Sequence, residues 1–175
     1  GVIHYLINYG LDKDSINEKY LNNIFTIFTS FMCQEGHAMN IVLSSYLNLA
    51  SNLLCNGYDL GQHSGIISGI IQLTFNNLST GPVSAFEIGD DDINAECLLT
   101  SLTYLFVNLI HKGQLGVFHD SLGILLDVLL KYICDYGLPI IPLAELVKIS
   151  CINEIDVSGF IGGIAQNINE DDLVC

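Results

Sequence analysis

The stretch "SGIISGIIQ" at residues 64–72 returns as "SGFIGGIAQ" at residues 158–166. Wound as an α-helix, the first copy puts Gly65 and Gly69 on one face and Ser64 and Ser68 beside them. The second puts Gly159 and Gly163 on one face, with Ser158 and Gly162 on the next. Each is a small-xxx-small pattern, which lets a neighbouring backbone come close. Glycine inside a helix costs about 0.8–1 kcal/mol relative to alanine, so two in one helix ask for a compensating contact. Ile66, Ile67, Ile70 and Ile71 leave the first copy almost no polar face, the pattern of a helix surrounded by protein. The spacing therefore predicts two glycine-bearing helices at the centre of an all-α molecule, packed against each other. Small residues lining a pocket for an apolar ligand are the alternative reading of the same faces.

Outward from these phrases the apolar spacing stays helical. Residues Tyr20–Cys33, Ala38–Cys55, Ile93–Ile110 and Leu115–Tyr136 carry Leu, Ile, Val and Phe at i, i+3, i+4 and i+7. Gly10, Gly36, Gly57, Gly113 and Gly137 sit where periodic segments stop, as helix-ending glycines do. Asp14 or Ser15, Asp90–Asp92 and Asp156 suit helix starts, where a side-chain oxygen accepts from free backbone N–H groups. Residues 74–92 read as the longest loop, and no alternating strand is convincing beyond a short extended piece at Ser84–Ile88.

Four landmarks recur in the same order. Thr26–Gly36 resembles Thr103–Gly113; "LLCNG" ending at Gly57 resembles "YICDYG" ending at Gly137; the two glycine phrases follow; "DDINAEC" closing at Cys97 resembles "DDLVC" closing at Cys175. Shared order predicts an internal duplication. The expected architecture is a bundle of seven to eight helices built from two similar three- to four-helix modules, residues 1–97 and 98–175, sharing one core. "YLINYGL" (Tyr5–Leu11) echoes "YICDYGL" (Tyr132–Leu138), so the expected source is an excised piece of a longer array of such modules.

Half of the 175 residues are apolar and 14% are charged. Five Lys plus Arg stand against nineteen Asp plus Glu, a formal charge of −14. Nucleic acid needs clustered cations and anionic membranes repel such a chain, so neither is an expected partner. The apolar runs Leu98–Ile110 and Leu122–Cys134 fall short of a bilayer, and no transmembrane segment is expected. The negative charge instead keeps an apolar-rich chain soluble.

Cys33, Cys55, Cys97, Cys134, Cys151 and Cys175 make an even set without a CxxC pair, which favours disulfides and an extracellular, secreted protein over a zinc ribbon. Buried thiols acting as small hydrophobes are the other reading. Asn77-Leu78-Ser79 is a glycosylation sequon, which places Asn77 on an expected surface loop. Asp90, Asp92, Asn94 and Glu96 alternate like calcium ligands, but Ala95 and Ser101 occupy the positions where such a loop needs glycine and an acid. They read as an acidic helix start, as do Glu170, Asp171 and Asp172. His63 and Ser64 are adjacent and diverge on a helix, which argues against a nucleophile and its base. His4, His37, His111 and His119 read as surface or helix-end residues, with a pH response the more interesting alternative.

No catalytic site, metal or cofactor is expected. The sequence points to a non-enzymatic structural or self-assembly module, disulfide-stabilised, that joins copies of itself or neighbouring repeats. A carrier of an apolar small molecule or lipid in an inter-helix cavity is the alternative.

Overall fold

A computed structural model describes residues 21, 23–27, 37–80, 90–136 and 142–167. Helix α1 (His37–Cys55) stops where Gly57 swings to φ +84°, a backbone conformation that glycine adopts without strain. The Gly57 N–H donates to the Leu54 carbonyl at 2.9 Å and the Tyr58 N–H to the Leu53 carbonyl at 3.0 Å. Those two bonds satisfy carbonyls that the last helical turn would otherwise leave free. Helix α3 (Asp90–His111) ends identically: Gly113 at φ +65°, its N–H on Ile110, and the Gln114 N–H on Leu109. So does α5 (Leu143–Ile152), with Glu154 at φ +57° in the glycine's place and the Ile155 N–H on Ser150.

After each such turn the chain reverses into a second helix. Short 3₁₀ turns at Leu60–His63 and Gly116–Phe118 lead into α2 (Ser64–Thr80) and α4 (His119–Tyr136), and α6 (Ser158–Asn167) follows the third turn. The result is three successive helical hairpins. Helix α3 packs between α1 and α5 in one layer, and α4 packs between α2 and α6 in the other, with α1 and α3 also touching α2. Such a stack is held together by contacts between consecutive units.

Burial repeats with the hairpins. Leu43, Leu47, Leu49, Ala50, Leu53 and Leu54 of α1 are buried, and so, at one constant displacement, are Leu99, Thr103, Leu105, Phe106, Leu109 and Ile110 of α3. Beyond the turn the displacement is one residue shorter: His63, Ile67, Ile70 and Thr74 match Phe118, Leu122, Leu125 and Leu129. The two buried threonines are satisfied locally, Thr74 donating to Ile70 and Thr103 to Leu99, each at 2.8 Å. Hydroxyls also tie the first layer, where Ser44 and Ser101 lie 2.7 Å apart. Ahead of α1, Phe25 is fully buried against the His63 ring at 5.0 Å, and the Tyr46 hydroxyl donates to the Ile24 carbonyl at 3.0 Å.

The described residues are all-α, as the periodicity predicts, with helix ends at Gly57 and Gly113. Cys97, where the first expected module ends, lies inside α3. Two expectations change. The loop expected over residues 74–92 is shorter, because α2 continues to Thr80 and α3 begins at Asp90. The glycine phrases are helical, but they do not meet at the centre: α4 lies between α2 and α6. Ser84–Ile88, Gly10, Gly36 and Gly137 lie outside the described residues.

Candidate functional site

Side chains bind the second turn to the first. Gln114, in the second turn, reaches back to the first. Its Nε2 donates to the Tyr58 carbonyl at 2.9 Å, and its Oε1 accepts from the Leu60 N–H at 2.9 Å. One amide thereby satisfies both a donor and an acceptor of the preceding hairpin, in the way a backbone neighbour would. It also fixes direction, since α1 and α3 must end on the same side for this reach. Beside it, the Cys55 thiol donates to Asn108 Oδ1 at 3.5 Å.

Carboxylates cap the helices that follow the first and third turns. Asp59 Oδ1 accepts from the Gly61 N–H at 2.8 Å and starts the first 3₁₀ turn. Asp156 Oδ1 accepts from the Ser158 N–H at 2.9 Å and starts α6. Hydrogen bonds from the Ser158 side chain and backbone hold the Asp156 carboxyl below its ordinary value. Exposed acids also stand at Asp120 and Glu154, with Lys112 at the end of α3. His119 Nδ1 lies 3.9 Å from Asp120 Oδ1 in open solvent.

Apolar side chains are exposed at the turns as well. Val117 is 72% exposed because Phe118, next to it in the 3₁₀ turn, takes the inward position. Ile152, the last residue of α5, is 65% exposed, one helical step past the buried Ile149 and Ser150. Ile124 and Ile161 are also exposed, within the first two turns of the adjacent helices α4 and α6. Ile27 and Ile41 are exposed as well, but near the opposite end of α1. Sequence periodicity does not separate these positions from core, because Val and Ile fit either.

The residues singled out from the sequence fall elsewhere. Cys55, Cys97, Cys134 and Cys151 are free and exposed, which corrects the expectation of disulfides among them. They sit on four different helices, α1, α3, α4 and α5. Cys33 and Cys175 lie outside the described residues. Among the small residues, only Gly163 meets a close neighbour: a Cβ there would come 2.6 Å from Leu130 Cδ2. At Gly65, Gly69, Gly159 and Gly162 an added Cβ would meet nothing within 4 Å among the described residues. Gly65, Ser158 and Gly159 are exposed, and Ser64, Ser68, Gly69, Gly162 and Gly163 are half-buried. The isoleucines, not the glycines, supply the packing, with Ile67, Ile70 and Ile71 buried.

Asn77 lies within α2 rather than on a loop, half-buried, with its Nδ2 donating to Asn40 Oδ1 at 3.0 Å. His63 is buried, and His111 and His119 are exposed. Asp90, Asp92, Asn94 and Glu96 occupy the first turns of α3, as an acidic helix start requires. Among the described residues no group of three His, Cys, Asp or Glu is placed to hold a metal ion, and no helix is long and apolar enough to cross a membrane. Gln114 is the structural residue that sequence reasoning overlooks. Its position straight after the helix-ending Gly113 is the only signal it gives.

No protein-family model, curated protein or solved structure matches the chain.

Proposed function

We propose that this chain is a non-enzymatic structural module that joins neighbouring chains, copies of itself included, through the exposed faces of stacked helical hairpins. The observation that supports this most is the repetition of one construction unit: three helix ends with the same hydrogen-bond pattern, arranged in two layers by nearest-neighbour packing. A structure made this way presents long regular surfaces. The chemistry it displays is that of surface and packing: caps, amide bridges and scattered apolar side chains.

The finer part of the reading is that the chain grew by duplication. The matched buried positions of the first two hairpins favour a hairpin as the repeated unit over the two larger modules expected from the sequence. Placement outside the cell belongs to the proposal too, and it rests on the even number of cysteines. Counting reactive thiols in the chain isolated from its own source addresses it directly. Six unreactive cysteines would support secretion, and four or more reactive ones would oppose it.

Self-joining is tested by light scattering on the eluting protein, over a concentration series and at high salt. Screening a charge of −14 removes the main repulsion between copies. A mass that rises with concentration and salt is the expected result. A monomer under every condition overturns joining between copies.

A further inference from the structure

We propose that two copies of this chain join through α2, laid antiparallel along the face that carries Gly65, Gly69, Gln72 and Asn76, a reading that rests on self-joining and names the face it uses. These positions follow one another by four, three and four residues, which holds them within about 60° around the helix. They form one stripe by the geometry of a single helix. Gly65, Gln72 and Asn76 are exposed and Gly69 is half-buried. A Cβ added at either glycine would meet nothing within 4 Å among the described residues. On the same stripe Gln72 Nε2 donates to Asn76 Oδ1 at 3.3 Å.

Shape points to a second copy as the occupant. A two-fold axis at the level between Ile70 and Ile71 sets Gly69 against Gln72 of the second copy, and Gly65 against Asn76 of the second copy. In such a contact each copy receives what it offers. Here each amide side chain stands over the bare backbone of a glycine, and small residues let the two helices approach closely. An amide also carries both donors and an acceptor, so the stripe complements itself chemically.

Charge points the same way. Within residues 37–80 the only Asp, Glu, Lys or Arg is Asp59, and α2 itself has none. Two chains of −14 repel most where acids face acids, and pairing α2 with α2 sets no charge of either helix against the other. A charged peptide finds no counter-charge on this stripe. An apolar helix or a lipid would bury its amides without partners.

Self-association of the full chain is followed by sedimentation equilibrium at high salt, with circular dichroism reporting the fold. Gly69→Gln keeps the charge, extends into open space and favours the helix, but sets amide against amide across the pair. It is expected to keep the fold and to weaken association by about tenfold or more. Gln72→Ala makes the facing position small. Labelled Gly69→Gln chains are therefore expected to associate with Gln72→Ala chains much more tightly than with themselves. Ile41→Ser and Val117→Ser, at exposed apolar residues of other elements, are expected to leave association unchanged. A folded Gly69→Gln chain that associates as strongly as the parent overturns the α2 contact and leaves joining through another face standing. Absence of recovery in the mixture overturns the pairing of glycine with amide. A parent chain that stays monomeric overturns both this contact and joining between copies.

Discussion

Replacing Gln114 with alanine removes a side chain that ties the second turn to the first. The loss is worked from its two partners. The Leu60 residue is 1% exposed, and its N–H points to Gln114 Oε1. Leaving a buried donor unsatisfied costs about 1–3 kcal/mol. The Tyr58 carbonyl belongs to a half-buried residue and recovers part of its loss by hydration, so it adds about 0.5–1 kcal/mol. The total is about 1.5–4 kcal/mol, a large part of the 5–15 kcal/mol by which a domain is ordinarily stable.

Urea unfolding of Gln114→Ala is expected to show that loss as a lower midpoint with an unchanged slope. Native-state hydrogen exchange localises it, with the Leu60 amide losing protection well beyond the global change. Gln114→Glu separates the two bonds. It keeps an acceptor for the Leu60 N–H, so that amide remains protected, but it sets a carboxylate against the Tyr58 carbonyl and still lowers stability. A Gln114→Ala chain within about 0.5 kcal/mol of the parent, with Leu60 protection intact, would refute the bridge as a stabilising element.

Three further outcomes follow from the same geometry. Glu154 holds a left-handed backbone conformation that costs an L-residue about 1–2 kcal/mol, so Glu154→Gly is expected to raise stability by about 0.5–1 kcal/mol after the entropy of the freer unfolded chain, read by thermal unfolding. In mid-helix, Gly69→Ala meets nothing within 4 Å and is expected to stabilise by about 0.5–1 kcal/mol, whereas Gly163→Ala must push Leu130 aside and is expected to lose that gain; equal responses would contradict the packing described. Asp156 has its carboxyl lowered by the Ser158 bonds, so its contribution is present above the ordinary carboxylate range and vanishes as pH falls through the lowered folded value; the gap in melting temperature between parent and Asp156→Ala should therefore close on acidification.

Much of the fold is legible in the sequence, and the reasons are local. The 3.6-residue periodicity of Ala38–Cys55 and Ile93–Ile110 survives into α1 and α3 within a few residues: α1 buries one stripe and leaves the other wetter, while α3, packed between its neighbours, is buried almost all round from Leu98 to Ile110 with Tyr104 exposed. Gly57 and Gly113 announce their turns because few residues other than glycine take up positive φ without strain. The third turn hides for the same reason: Glu154 does glycine's task at a cost, and no residue pattern reports a cost. The repeating hairpin is obscured by that substitution and by the one-residue change in displacement between helix and following helix, which breaks the register that a search for repeats depends on.

The glycine phrases show why small residues mislead. A small-xxx-small face looks the same whether a backbone presses against it or solvent does, and only the neighbour distinguishes the two. Gly163 has that neighbour in Leu130, and Gly65, Gly69, Gly159 and Gly162 have none among the described residues. Nor do the phrases bury the same position: Ile67 is buried where its counterpart Ile161 is exposed, and Phe160 is buried where its counterpart Ile66 is half-buried. Ile67 and Phe160 anchor α2 and α6 to their own neighbours, and α4 takes the place between them. Close packing of this stack therefore comes from branched and aromatic side chains seated between successive hairpins. Its turns carry different exposed chemistry: Asp59 caps the start after the first, Val117 stands in solvent in the second, and the third carries both an exposed apolar residue, Ile152, and a capping carboxylate, Asp156.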